Sequence, residues 1–143
     1  MNRLSTLSRA LNSQITQATL ARRLEAVLSV CDQAVVEIGA LDPLILEAMA
    51  KLHSDAESID VSQLSALRER LDNAYFSAQE RAEENGDSAA LALKFFSAAR
   101  LAAALELASK LSDAEEASDC LYEALMALND NQVMIRKLEL TIG

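Results

Sequence analysis

The chain has 143 residues, 51% of them hydrophobic but only 3% aromatic, and a net charge of −9. That length suits a single domain over residues 1–143, burying about two-thirds of its unfolded surface without disulfides or metals. A body of this charge repels phosphate backbones and anionic headgroups, so neither nucleic acid nor a membrane surface is an expected partner.

Ala and Leu supply most of the apolar content, and three Gly and one Pro leave few helix breakers, so the expected fold class is all-α. Cys31 and Cys120 are far apart, each inside an apolar helical pattern. They read as packing residues in a reducing compartment, and the expected location is cytoplasmic. No apolar run reaches the roughly 18 residues of a membrane span.

Residues 1–24 contain Arg3, Arg9, Arg22 and Arg23 and no acid. Such a composition also suits an organellar transit peptide. The series Leu4, Leu7, Leu11, Ile15 runs on into the following turns, however, and assigns the segment to the fold. Residues 1–15 then form a basic helical segment, separable from the rest. Positive charge at a helix N-terminus opposes the dipole, so Arg3 and Arg9 are expected to dock on an acidic helix face, within the chain or across a dimer.

The helical pattern continues through Leu20, Leu24, Val27, Cys31, Ala34 and Ile38, with a slip in register that places a break around Asn12-Ser13. Gly39 ends it as a left-handed cap. Asp42-Pro43 starts the next helix, with Asp as cap and Pro at the first helical position; it ends near His53-Ser54. Asp60 restarts the chain, and Leu64, Leu67, Leu71, Ala74, Tyr75 and Ala78 form one stripe that stops at Asn85-Gly86. Asp87-Ser88 caps the following helix, whose tight reversal makes it an antiparallel neighbour.

Residues 88–111 are apolar at every angle of a helical wheel, as in a helix buried on all sides. They are expected to be the central helix of an antiparallel bundle of five to six helices, with Leu91, Phe95, Leu101, Leu105 and Leu121 in its core. Ser112 and Glu115 have the spacing of a capping box for a helix that carries Ala117, Leu121, Ala124, Leu125 and Leu128 inward. Residues 133–142 fit a strand or a helix; a short last helix agrees with the remainder.

No pattern of catalytic or ligand-binding residues stands out. His53, the only histidine, sits at a helix end where a basic side chain meets free carbonyls. A di-iron site would need a Glu-x-x-His on each of two helices, and three scattered Gly cannot build a phosphate loop. No cofactor and no metal are expected. Two surface features remain. Glu116, Asp119 and Glu123 fall between about 140° and 200° on their wheel, opposite the apolar side, as one outward acidic stripe. Phe76 points to about 120° on its helix, away from an apolar face centred near 320°, with Glu80 and Glu83 among its neighbours.

These features lead to an acidic, non-catalytic protein-binding module that neutralises or sequesters a basic protein, as an immunity protein or antitoxin does. Phe76, Glu80, Glu83, Glu116, Asp119 and Glu123 are the expected partner-binding residues. A secretion-type chaperone or helical adaptor acting as a homodimer is the alternative, and an enzyme with a site between helices the second.

Overall fold

The computed structural model describes residues 2–39, 41–54, 59–85, 89–111 and 113–142. The fold is all-α. Eight helices are present among the described residues: α1 (Arg3–Leu7), α2 (Arg9–Gln17), α3 (Leu20–Ile38), α4 (Pro43–Ser54), α5 (Val61–Asn85), α6 (Ala89–Ala108), α7 (Ala114–Met126) and α8 (Gln132–Ile142).

The excess over five to six helices arises in the first forty residues, where one expected helix is three. Asn12-Ser13 lies within α2, so the expected break there is corrected; the breaks fall at Ser8 and at Ala18-Thr19. Ser8 is extended, and its hydroxyl accepts from the Leu11 amide at 3.0 Å. Thr19 does the same for Arg22 at 3.2 Å. Each side chain satisfies an amide that would otherwise have no partner, which favours a new start over a continuous helix. Arg23 turns back to donate to the carbonyls of Ile15 and Thr16, closing the end of α2.

The other helix boundaries follow local chemistry. Gly39 stops α3 with φ +83 and ψ −91, a positive-φ conformation that a side chain would strain but not the left-handed helical cap expected, and donates to Val35 O. Asp42 accepts from the Leu44 amide and Asp60 from the Gln63 amide. Asp113 is the cap of α7, accepting from the Glu116 amide at 2.8 Å. Ser112, with the expected box, and residues 86–88, with the expected stop and cap, lie outside the described residues. The last segment is helical.

The core joins Val27, Val30, Cys31 and Ala34 of α3 to Leu101, Ala104 and Leu105 of α6 and Leu121 and Leu125 of α7. Leu4, Leu11 and Ile15 close it on one side, and Ile135 and Leu138 of α8 also pack into it. The α6 helix packs against α3, α4, α5 and α7, and buried Ala98, Ala99, Ala102, Ala103 and Ala104 keep its surface low where they approach. Only the half from Ser97 onward is surrounded. Leu91, expected in the core, is 42% exposed, and Phe95 is half-buried. The reason is length: α3 stops at Gly39, and nothing among the described residues replaces it beside the first two turns of α6.

Leu101 is fully buried, so Leu101→Ala loses transfer energy and leaves a cavity, a cost of about 2–5 kcal/mol. A urea titration will show a lower midpoint for Leu101→Ala and a much smaller shift for Leu91→Ala.

Candidate functional site

The described residues contain no cluster of His, Cys, Asp and Glu that could hold a metal ion, and no described helix is long and apolar enough to cross a membrane. Both thiols are free and buried. Burial, with a smaller contribution from Asp32, pushes the Cys31 thiol up to about 12. Burial also raises that of Cys120, whose Sγ donates to Ala104 O. Neither is a nucleophile at neutral pH. His53 Nε2 lies 2.9 Å from Asp32 Oδ1, a pairing across α4 and α3 that the sequence did not suggest. Both side chains are about half exposed, so the pair is a surface contact worth at most about 1 kcal/mol.

Because Cys31 ionises far more easily unfolded than folded, the unfolded state loses its proton first as pH rises above 9. Stability contributed by the neutral thiol is therefore complete below about pH 9 and declines as pH climbs toward 12. Cys31→Ala removes that part of the alkaline decline in melting temperature, and native Cys31 resists a thiol reagent at pH 8 until the chain is unfolded.

Charged side chains form the most extended polar structure in the molecule. Arg3 Nη1 donates to Glu123 Oε1 at 3.0 Å, and its Nη2 lies 3.9 Å from Asp119. Arg100 Nη1 donates to Glu123 Oε2 at 2.9 Å, and its Nη2 to Asp72 Oδ1 at 3.2 Å. Arg68 then links Asp72, at 3.6 Å, to Glu106, at 2.8 Å. Three guanidiniums and four carboxylates thus run in one line across α1, α5, α6 and α7. Two rings flank it, Tyr122 beneath Arg3 and Phe96 beneath Arg100. Arg100 Nε is buried without a hydrogen-bond partner.

This network corrects the expected acidic stripe on α7. Glu123 does not face outward: it is 6% exposed, between two arginines. The wheel angle was sound, but α1 folds over that side of α7 and brings Arg3 with it. Asp119 is partly covered by the same arginine, and Glu116 is half-buried on the first turn. Arg3 docks on the acidic side of α7 within the chain, as expected, whereas Arg68, Asp72, Arg100 and Glu106 were missed as members of the same system. The signals were Arg100 and Glu106 inside a mostly apolar helix and Arg3 in a segment without acids.

On α5 the picture differs. Phe76 is 59% exposed, and Glu80 and Glu83 are exposed beside it. Its ring meets Tyr75 at 5.3 Å between centroids, and Tyr75 meets Phe96 at 5.4 Å, so the aromatic row leads from the surface back to Arg100. A groove of about 330 Å³ opens alongside, between α5 and α6, walled by Tyr75, Ala82, Ala89, Ala92 and Leu93, with Gln79 and Glu83 on its edge. The last turn of α5 contains Glu83 and Glu84 and no cation; acids at this end oppose the helix dipole by about 0.3–1 kcal/mol each. No protein-family model, curated protein or solved structure matches the chain.

Removing one partner from a fully buried ion pair costs about 3–5 kcal/mol; here Arg3 still pairs with Glu123 and Asp72 with Arg100, so the loss is smaller. Arg100→Met and Glu123→Gln are each expected to lower stability in denaturant titration. The double variant is expected to lose much less than the sum, and independent, additive losses would mean that the two groups are not coupled.

Proposed function

We propose that the chain is an acidic protein-binding module whose partner is a basic protein, engaged through α5 around Phe76, Glu80 and Glu83. The single observation that carries this reading is Phe76, a large ring left 59% exposed among carboxylates on a helix whose apolar stripe is already covered. Aromatic anchors ringed by polar groups are the usual centre of binding energy in an interface. Two further features favour a cation opposite. The carboxylates at the end of α5 sit where the dipole disfavours them, and a basic partner relieves that. The neighbouring groove has an apolar floor and Glu83 at its rim, which suits the hydrocarbon stem of an Arg or Lys whose charged head stays at the carboxylate.

Neutralisation of a basic toxin domain, in the manner of an immunity protein or antitoxin, is the form of this activity that the chain's small size and acidity suit best. A cytoplasmic location belongs to the same reading and is supported by two free thiols. Glu116 and Asp119 make a secondary rim on this proposal, while Glu123 is withdrawn from the surface by Arg3 and Arg100.

The test is affinity capture from the native source followed by binding kinetics with the protein identified. Phe76→Ala is expected to speed dissociation and weaken binding by more than about 1 kcal/mol. Glu80→Lys with Glu83→Lys is expected to slow association and flatten its salt dependence. Far-UV circular dichroism should be unchanged in both, since all three side chains are exposed. Binding indifferent to both variants would overturn the assignment of this surface.

A further inference from the structure

A second surface lies on α6 of the same hairpin, where its first two turns pass beyond the end of α3. Lys94 stands on the ridge of this surface, exposed, and pairs with no acid among the described residues. Leu91 flanks it at 42% exposure and Ala90 lies one turn before it. A groove of about 400 Å³ opens on one side, walled by Ile38, Leu41, Ile45, Leu71 and Phe95, with Asp42 at its edge. A smaller one of about 190 Å³ opens on the other, lined by Glu37, Ala90, Leu93 and the same lysine; Glu37 also accepts from Gln33 Nε2 and the Asn129 amide.

Three properties of this face bear on what covers it. It offers projecting side chains and grooves side by side, so that one copy can supply the knob and the other the hole. It has both signs of charge around an apolar ground, Lys94 against Glu37 and Asp42, whereas the α5 face is acidic. A two-fold interface joins a patch to itself and so must be self-complementary in shape and charge; a wholly acidic patch fails the charge condition, whereas a patch that holds both signs can satisfy it. Finally, Ala90 on the ridge lets two helices approach closely. The other exposed apolar side chains, such as Leu20, Val133 and Leu140, border none of these grooves.

We infer that this face is covered by a second copy of the chain, in a two-fold dimer that seats Leu91 in the larger groove of the partner subunit. Lys94 meets Glu37 of the partner subunit across the axis. The inference does not rest on the basic partner proposed for α5: Leu91, Lys94 and Glu37 line no part of the α5–α6 groove, although Leu93 borders both surfaces.

Light scattering coupled to size exclusion, over a concentration series, reads the outcome. The wild-type chain is expected at twice its 15.5 kDa mass. Leu91→Glu is expected to convert it to monomer with the far-UV spectrum unchanged. Lys94→Glu is expected to weaken the dimer by at least about tenfold, and adding Glu37→Lys to it to restore association. A wild-type monomer at every concentration overturns the inference, as does a dimer untouched by Leu91→Glu. A monomer that takes up an added long-chain fatty acid, with loss of uptake in Leu91→Glu, would give the face to a small apolar ligand instead. Loss of binding to a basic partner in Phe76→Ala leaves this result unaffected, so the two proposals fail separately.

Discussion

One carboxylate decides how the two ends of this chain meet. Glu123 has only 7% of its side chain exposed, and an ionised group so far out of water costs several kcal/mol unless opposite charge and hydrogen bonds replace its hydration. Arg3 takes one oxygen and Arg100 the other. The first comes from the N-terminal helix and the second from the middle of α6, so the two arginines, 97 positions apart in sequence, can satisfy Glu123 together only when both helices are docked on α7. Neighbouring contacts depend on that docking: Asn2 donates to Asn12 and to the buried Ser118 hydroxyl, which itself donates to Asn12. If α1 swung away, Asn2 would lose both partners, and Asn12 and Ser118 would keep only each other.

The same arrangement determines which acids remain for a partner. Along the ion-pair line the four carboxylates spend most of their field on three guanidiniums. The excess negative charge of the chain must therefore be sought elsewhere, and on α5 it is concentrated where Arg70 and Arg81 do not balance it. With Leu64 at zero, those arginines lie near 240° and 260°, while Glu69, Glu80 and Glu83 lie between about 100° and 160°. A helix segregated in this way presents an acidic face because its cations sit on another side, not because it lacks them.

Much of this was legible in the sequence. Fold class followed from composition, and the starts at Pro43 and Val61 and the stop at Gly39 followed from cap chemistry. The buried positions Leu101, Leu105 and Leu121 followed from periodicity. What a single helical wheel cannot show is what lies opposite each angle. Glu123 pointed away from its own apolar stripe and was still buried, because a segment more than a hundred residues distant covers that side. Leu91 sat on an all-apolar helix and was still exposed, because the neighbour it required had ended. Ser8 and Thr19 were misjudged for a local reason: a hydroxyl competing for the next turn's amide outweighs an apolar pattern that continues unbroken through it.

The exposed start of α6 and the exposed outer face of α5 belong to one hairpin, held antiparallel by the pairs Arg68–Glu106, Asp72–Arg100 and Tyr75–Phe96. On α5, Phe76 at about 120° lies about 75° from the side that meets α6, where Arg68, Asp72 and Tyr75 stand at about 40°, 80° and 20°. On α6, Lys94 lies roughly opposite the side that meets α5, since Ala92 and Phe96 occupy that side at about 160° and 200°. The two surfaces meet at Leu93, which walls both the α5–α6 groove and the smaller groove beside Lys94, while Phe76, Leu91 and Lys94 each belong to one surface alone. They also differ in the sign rule that governs them. A face of one sign selects a partner of the other sign, whereas a face of mixed sign can close on itself. A two-fold dimer through Lys94 would thus hold two acidic faces outward on a single body, and a partner with two basic segments would meet both at a raised effective concentration.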